Sequence, residues 1–328
     1  MLTVIDTTKL KACYSKEFNT VFDKQTGFTA TWGTTKDDDP PYCKYGPTIL
    51  DLEVSEIITE EEVGEAEKSP WHIVTKGGCS GRSYCGQICY KDNGRGNYTK
   101  HLSLKGVKHI LNKMALQIYL WVNDKKTSFR PDDLIEKENC FDYNQYDKVP
   151  IHSIRVGDVI DFKDIRGRVT NITYSYLLQQ VALGICSSDS HPQLFEIAQE
   201  FRSRGIIPNI TCNGIGFNEE LATRYVASFG AVAVSVNTKN KEQAYNTIQM
   251  LCNAECPQVN IHFVLANESL QDLYDILKDI KSDVRLKDMN AIVFLAYKNT
   301  KQDVGRSHYS SVKDLQKLKT LYEYCDQH

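Results

Sequence analysis

Three cysteines fall within eleven residues of this 328-residue chain, at Cys79, Cys85 and Cys89. The stretch reads Cys79-Ser-Gly-Arg-Ser-Tyr-Cys85-Gly-Gln-Ile-Cys89. Thiolates are soft ligands, and glycines let a backbone curl so that three of them converge on one metal or cluster. A four-iron cluster normally takes four cysteines, so three local ligands would leave one iron open. A zinc loop completed by a ligand elsewhere, or three unrelated thiols, satisfies the same spacing.

The elements that must position such a loop are readable on either side. Residues 48–58 alternate as a strand does, and Ser103 can cap a helix whose Leu104, Val107, Ile110, Leu111 and Met114 fall at helical spacing. Residues 1–47 are polar and broken, with a hairpin at 22–33 turning at Gly27 and a loop at Pro40-Pro41. Residues 59–78, rich in glutamate, read as an exposed excursion that returns the chain to the cysteines. From 115 to 176 the pattern becomes short strands separated by turns at Gly157 and Gly167, which predicts a small inserted β-subdomain.

Beyond 177, strand and helix alternate. Strands are expected at 179–184, 207–212, 231–236, 259–265 and 291–296, and helices at 192–203, 218–228, 241–253, 269–281 and 310–324. Runs such as Ala231-Val-Ala-Val-Ser-Val236 are apolar on both sides, as buried parallel strands are. With 48–58 this makes six strand–helix units. Right-handed crossovers then give an α/β fold, a partial (βα)6 barrel with a curved parallel sheet, whose ligands sit at the carboxyl ends of the strands.

Composition narrows the rest. Hydrophobic residues make up 41% and charged residues 25%, and the net charge is −3, so no global basic field recruits nucleic acid. No apolar run is long enough to span a bilayer, residues 1–12 lack the order of a signal peptide, and the odd count of 11 cysteines argues against a disulfide framework. The expected setting is a reducing, cytoplasmic one.

A three-cysteine loop after the first of six βα units resembles the radical S-adenosylmethionine (radical SAM) superfamily, most nearly its phage-associated members of uncertain role. The resemblance extends through Val21-Phe-Asp-Lys-Gln-Thr-Gly-Phe28, residues 30–40 and 46–55, Cys89-Tyr-Lys, residues 205–210, 230–235, 258–262 and 286–295. It covers nearly everything except 59–78 and 115–176. The implied organisation is an N-terminal extension (1–47), a first βα unit with the cluster loop (48–114), the insert (115–176) and the remaining units (177–328).

The resemblance implies a [4Fe–4S] cluster on Cys79, Cys85 and Cys89, with S-adenosylmethionine (SAM) as second cofactor. It implies an electron donor such as flavodoxin or ferredoxin, and a substrate that is a peptide, nucleoside or nucleic acid. Ile88 matches the apolar position that meets the adenine, and Ser235 one that reaches the ribose, with Asn237 nearby. Two departures stand out. The spacing is Cys-x5-Cys-x3-Cys rather than Cys-x3-Cys-x2-Cys, and the Gly-Gly-Glu after strand two is replaced by Ile185-Cys186-Ser187, followed by Ser188 and Asp189. Those residues, Ser187 and Asp189 above all, become the groups to hold the cofactor's ammonium. The departures also support a cluster- or zinc-binding module without catalysis, and the β-insert suggests a third function, a nucleic-acid-associated modifying protein, against which the acidic net charge counts.

Overall fold

The computed structural model describes residues 3–14, 18–23, 29–33, 48–55, 72–76, 98–139, 145–163, 165–176, 178–185, 191–297 and 309–326. Four N-terminal strands, β1 (Thr3–Asp6), β2 (Leu10–Tyr14), β3 (Phe18–Asp23) and β4 (Thr29–Gly33), form an antiparallel sheet in chain order. The expected hairpin at 22–33 is its β3–β4 pair, with Phe22 opposite Thr29. The two strands before it lie in a region whose polarity hid them.

The reading of 48–58 as one strand is corrected at Leu52. Strand β5 (Thr48–Asp51) joins the parallel sheet, whereas β6 (Glu53–Ser55) joins an antiparallel sheet of order β6-β8-β7 with β7 (His72–Lys76) and β8 (Tyr98–Leu102). Residues 59–78 are likewise not wholly an excursion, because β7 pairs along its length with β8, Lys76 opposite Tyr98. The cysteines, at 79–89, therefore follow an antiparallel strand rather than the first parallel one. They lie outside the described residues.

Helix α1 (Leu104–Met114) begins where expected. The Ser103 hydroxyl accepts from the Gly106 amide at 3.1 Å, and Val107 and Leu111 are buried. Burying each such side chain contributes about 1.5–3 kcal/mol.

The insert follows as six antiparallel strands: β9 (Gln117–Val122), β10 (Lys125–Phe129), β11 (Leu134–Glu138), β12 (Tyr146–Pro150), β13 (Val159–Phe162) and β14 (Ile165–Ser175), in spatial order β10-β9-β14-β13-β11-β12. The two-residue turn between β9 and β10 places Asn123 and Asp124 at φ 49° and 61°, a conformation these residue types tolerate. Strand β14 serves two neighbours: its first half pairs with β13, and after an irregularity near Thr170 its second half pairs with β9. Chain entry and exit are adjacent, since Gln117 pairs with Ser175 and the Leu116 amide donates to the Ser175 carbonyl at 2.7 Å. The apolar core of the insert, including Ile118, Ile135 and Ile160, is continuous with that of the rest of the chain.

The remaining units are β15 (Gln180–Gly184), α2 (Leu194–Ser203), β16 (Ile207–Cys212), α3 (Glu219–Ser228), β17 (Ala231–Ser235), α4 (Lys241–Asn253), β18 (Val259–Leu265), α5 (Leu270–Ser282), β19 (Ala291–Ala296) and α6 (Leu315–Asp326). With β5 at one edge they build a six-stranded, all-parallel sheet in sequential order, β5-β15-β16-β17-β18-β19. This is the partial (βα)6 barrel expected, with a β-subdomain inserted after its first helix. The last helix starts at Leu315 rather than at 310; Ser310 lies in irregular chain, where its amide and hydroxyl both donate to Glu268, each at 2.7 Å.

Arg204, just past α2, ties the insert to the barrel. Its guanidinium, 10% exposed, donates to Glu200 Oε1 (2.7 Å), Asn112 Oδ1 (2.7 Å) and the Tyr176 hydroxyl (2.6 Å), and it stacks over Tyr174 at 4.5 Å. Burial pushes the Tyr176 hydroxyl up to about 12, so it stays protonated while accepting. Removing Arg204 strands several partly buried polar groups at once. Arg204→Ala is expected to cost about 3 kcal/mol in urea unfolding. Arg204→Met, which keeps the packing but no donor, should recover only a minor part of that loss.

Candidate functional site

The parallel sheet has two unlike faces. Val181, Leu183, Ile210, Cys212, Val232, Val234, Val259, Ile261, Phe263 and Leu265 are buried in one apolar core with helix residues such as Ile197, Phe201, Ile248 and Leu251. The alternate positions are small or polar and only half-buried: Ala182, Asn209, Thr211, Ser235, Asn260 and His262. A strand shows its two faces at period two, so helices cover the first set while the second lines the concave side.

Polar contacts cross that concave side. The Asn209 amide donates to Gln180 Oε1 at 2.8 Å, and the Thr211 hydroxyl lies 3.3 Å from His262 Nδ1. Thr211 and His262 belong to strands separated by β17, and Ala233, in register with Thr211, is short enough to let them meet over it. Burial lowers the His262 pKa, so the ring is neutral near pH 7.

The carboxyl rim is built by main-chain and side-chain clamps. Leu52, fully buried, donates its amide to the Gly184 carbonyl (2.9 Å) and accepts from the Leu102 amide (2.7 Å). The root of the hairpin that carries residues 77–97 is thereby fastened to the ends of β5 and β15. Ile185 follows directly and packs against the core. Cys186, Ser187 and Asp189 fall in 186–190, and Cys79, Cys85, Ile88 and Cys89 in 77–97, all outside the described residues.

Ser235 ends β17, two strands from β15, a separation of about 10 Å. Its carbonyl accepts from Asn240 Nδ2 at 2.8 Å. Asn237 is largely committed to the turn, its Oδ1 accepting from the amides of Lys239 (2.9 Å) and Asn240 (3.2 Å), which leaves Nδ2 as its outward group. Asn240, 4% exposed, also accepts from the Asn237 amide at 2.8 Å and lies 3.4 Å from the Asn213 carbonyl, so it joins the ends of β16 and β17. Sequence reading passed over Asn240; an asparagine directly before a helix was the available signal. Gly214, at φ 75°, makes the β16 turn possible, since a Cβ there would stand 2.7 Å from Thr247 Oγ1.

His191 bonds to two main-chain groups at the rim. Its Nδ1 accepts from the Gln193 amide (3.1 Å), so the proton is on Nε2, which donates to the Leu102 carbonyl (3.0 Å). The ring stacks on His101 at 4.8 Å. Gln193 Oε1 meanwhile accepts from the Leu104 amide at 2.9 Å and satisfies the start of α1.

Two further cysteines take structural places. Cys212 is buried on the helix side, and burial pushes its thiol up to about 12. Burial likewise raises Cys256 to about 11, and its thiol contacts the Gln258 carbonyl. Among the described residues no three of His, Cys, Asp and Glu come together as a metal site, and no helix is long and apolar enough to cross a membrane. In the insert Lys137 pairs with Asp158 at 3.0 Å and Arg166 with Asp161 at 3.6 Å, while Arg168 donates to the Gly157 carbonyl, as on a solvated face. A groove of about 600 Å³ between α2 and α3 opens on the helical outside, remote from the concave face.

No family model and no curated protein sequence matches the chain. Among solved structures, one similar to it is described as native anSMEcpe with bound AdoMet and Cp18Cys peptide. It is 18% identical over 44% of this chain and 46% of that one, at a TM-score of 0.36. Another, the polyhistidine-tagged form of anSMEcpe with bound AdoMet, is 16% identical over 44% and 45%, at 0.35. The chain spans just under half the length of each, and a likeness this loose transfers no ligand.

The lowered pKa of His262 has a signed consequence. A histidine that stays neutral in the fold contributes stability that is complete above its unfolded pKa, near 6.5, and is lost as pH falls through that value toward the lowered one. The urea midpoint should fall more steeply between pH 7.5 and 5 in the wild type than in His262→Gln. His109, also lowered by burial, contributes equally to both proteins and cancels in the comparison.

Proposed function

We propose that the chain is a radical SAM enzyme, with a [4Fe–4S] cluster held by Cys79, Cys85 and Cys89 and SAM bound along the carboxyl edge of the parallel sheet. The observation that carries the reading is the anchoring of the cysteine-bearing hairpin. Its root is bonded through Leu102 and Leu52 to Gly184, the last residue of β15. The donor set suits the cofactors: three thiolates from one segment fill three cluster positions and leave the fourth iron for an outside ligand.

When bound, the cluster and SAM supply one-electron cleavage chemistry and a radical that abstracts hydrogen. The protein holds and orients them. Ile88 packs on the adenine. Ile185, Cys186 and Ser187 offer backbone carbonyls, and Ser187 and Asp189 side-chain oxygens, to the ammonium in place of the missing glutamate. Ser235 and the Nδ2 of Asn237 stand where a ribose arrives once the amino-acid end is fixed beside β15. Asn240 keeps those two in place by occupying the Ser235 carbonyl from behind. A flavodoxin or ferredoxin serves as electron donor.

A second reading, a cluster- or zinc-binding module without catalysis, is favoured by the replacement of Gly-Gly-Glu with Ile185-Cys186-Ser187. Anaerobic reconstitution with iron and sulfide separates the two. The enzyme reading expects about four irons per chain and formation of 5′-deoxyadenosine from SAM on reduction. Loss of both is expected when the three cysteines are replaced by alanine. Iron and SAM bound with no 5′-deoxyadenosine would establish the module instead. Asp189→Ala should weaken SAM binding roughly tenfold at unchanged iron content, the loss of one charge-assisted hydrogen bond; equal affinities would pass the role to the carbonyls of 185–188.

A further inference from the structure

We propose that the upper concave face of the sheet, from β16 to β19, binds an uncharged molecule with an aliphatic body and a hydrogen-bonding head, and that His262 orients that head. The proposal names the substrate class of the radical SAM reading and rests on that reading for the chemistry, though not for the binding.

Three observations carry it. First, among the described residues the side chains facing this region are Thr211, Ser235, His262, Val264, Val293 and Leu295, and none of these is charged. An ionic ligand here would give up its water without gaining a counter-charge, whereas a neutral one meets no such barrier. Second, Val293 and Leu295 are 37% and 41% exposed, although β19 lies in a sheet whose other face is packed under helices. They stand in register with His262 and Val264, so an aliphatic wall lies beside the imidazole. Third, His262 Nδ1 is engaged by the Thr211 hydroxyl at 3.3 Å, while Nε2 bonds to none of the described residues. Thr211 thereby fixes the ring plane and leaves a neutral nitrogen for a ligand.

The test uses the full chain, metal-free, with ring-labelled histidine observed by NMR. The probes are N-acetyl-leucinamide, which is neutral, N-acetyl-leucinate, an anion, and leucinamide, a cation, all with the same aliphatic body. Saturable movement of the His262 signals by the neutral probe at millimolar concentration is expected, with both ions binding at least tenfold more weakly. His262→Phe should reduce the neutral probe's affinity about tenfold. Val293→Asp, at an exposed position, should weaken the neutral probe about tenfold and invert the order in favour of leucinamide. Equal binding of all three probes overturns the proposal, as does a His262 signal that none of them moves. Because no cluster is present, failure here leaves the formation of 5′-deoxyadenosine to decide the radical SAM reading separately.

Discussion

Leu52 makes two main-chain hydrogen bonds that point into different sheets. Its amide extends the parallel ladder to Gly184, and its carbonyl receives Leu102 from the antiparallel sheet. One buried residue therefore decides where the first parallel strand stops and the cysteine-bearing hairpin begins. A side chain with no exposure at such a junction resists displacement, since truncating a buried leucine leaves a cavity that its surroundings only partly fill. The geometry of the rim, and so of anything bound there, depends on this crossing more than on any side-chain contact.

The two faces of the parallel sheet divide its work. Aliphatic alternation toward the helices supplies stability, and small or uncharged polar residues on the concave side leave room and hydrogen-bonding capacity. The polar groups at the rim are used economically. Asn240, His191 and Gln193 spend their side chains on main-chain groups that loops would otherwise leave bare. Arg204 ties the junction between barrel and insert through side chains instead. Beside the main-chain crossing at Leu52, the rim is thus held by bonds from side chain to backbone.

That character explains what the sequence disclosed. The parallel strands and their helices were legible because buried strands such as the one beginning Ala231-Val-Ala-Val234 carry an unbroken apolar run and the following helices have amphipathic spacing. The inserted β-subdomain was legible from its turns. The break at Leu52 was not, because Asp51-Leu52-Glu53-Val54 alternates as smoothly as a continuous strand would, and the change of partner is a tertiary event. Strand β7 hid beside a glutamate-rich stretch, and β1 and β2 in a polar leader, since pairing rather than composition makes them strands. In the site, His262 could be placed by the alternation of its strand, whereas Ser235 was singled out only through the resemblance. The meeting of Thr211 and His262 across β17 could not, as it depends on the shortness of Ala233.

The capping of α1 by Gln193 has a temporal side. The Leu104 amide is satisfied by a residue 89 positions further along the chain. On the ribosome the first helix emerges long before its cap, and the whole inserted subdomain and β15 must be made in between. Until then the helix has Ser103 as its local cap, and the hairpin before it lacks the His191 bond to Leu102. A contact of such sequence separation forms late, because closing a long loop costs entropy before the bond returns anything. The cysteine-bearing hairpin therefore gains its full anchorage only after β15 and the residues that follow it to Gln193 have been synthesised, so assembly of the rim is ordered in time by the position of one glutamine.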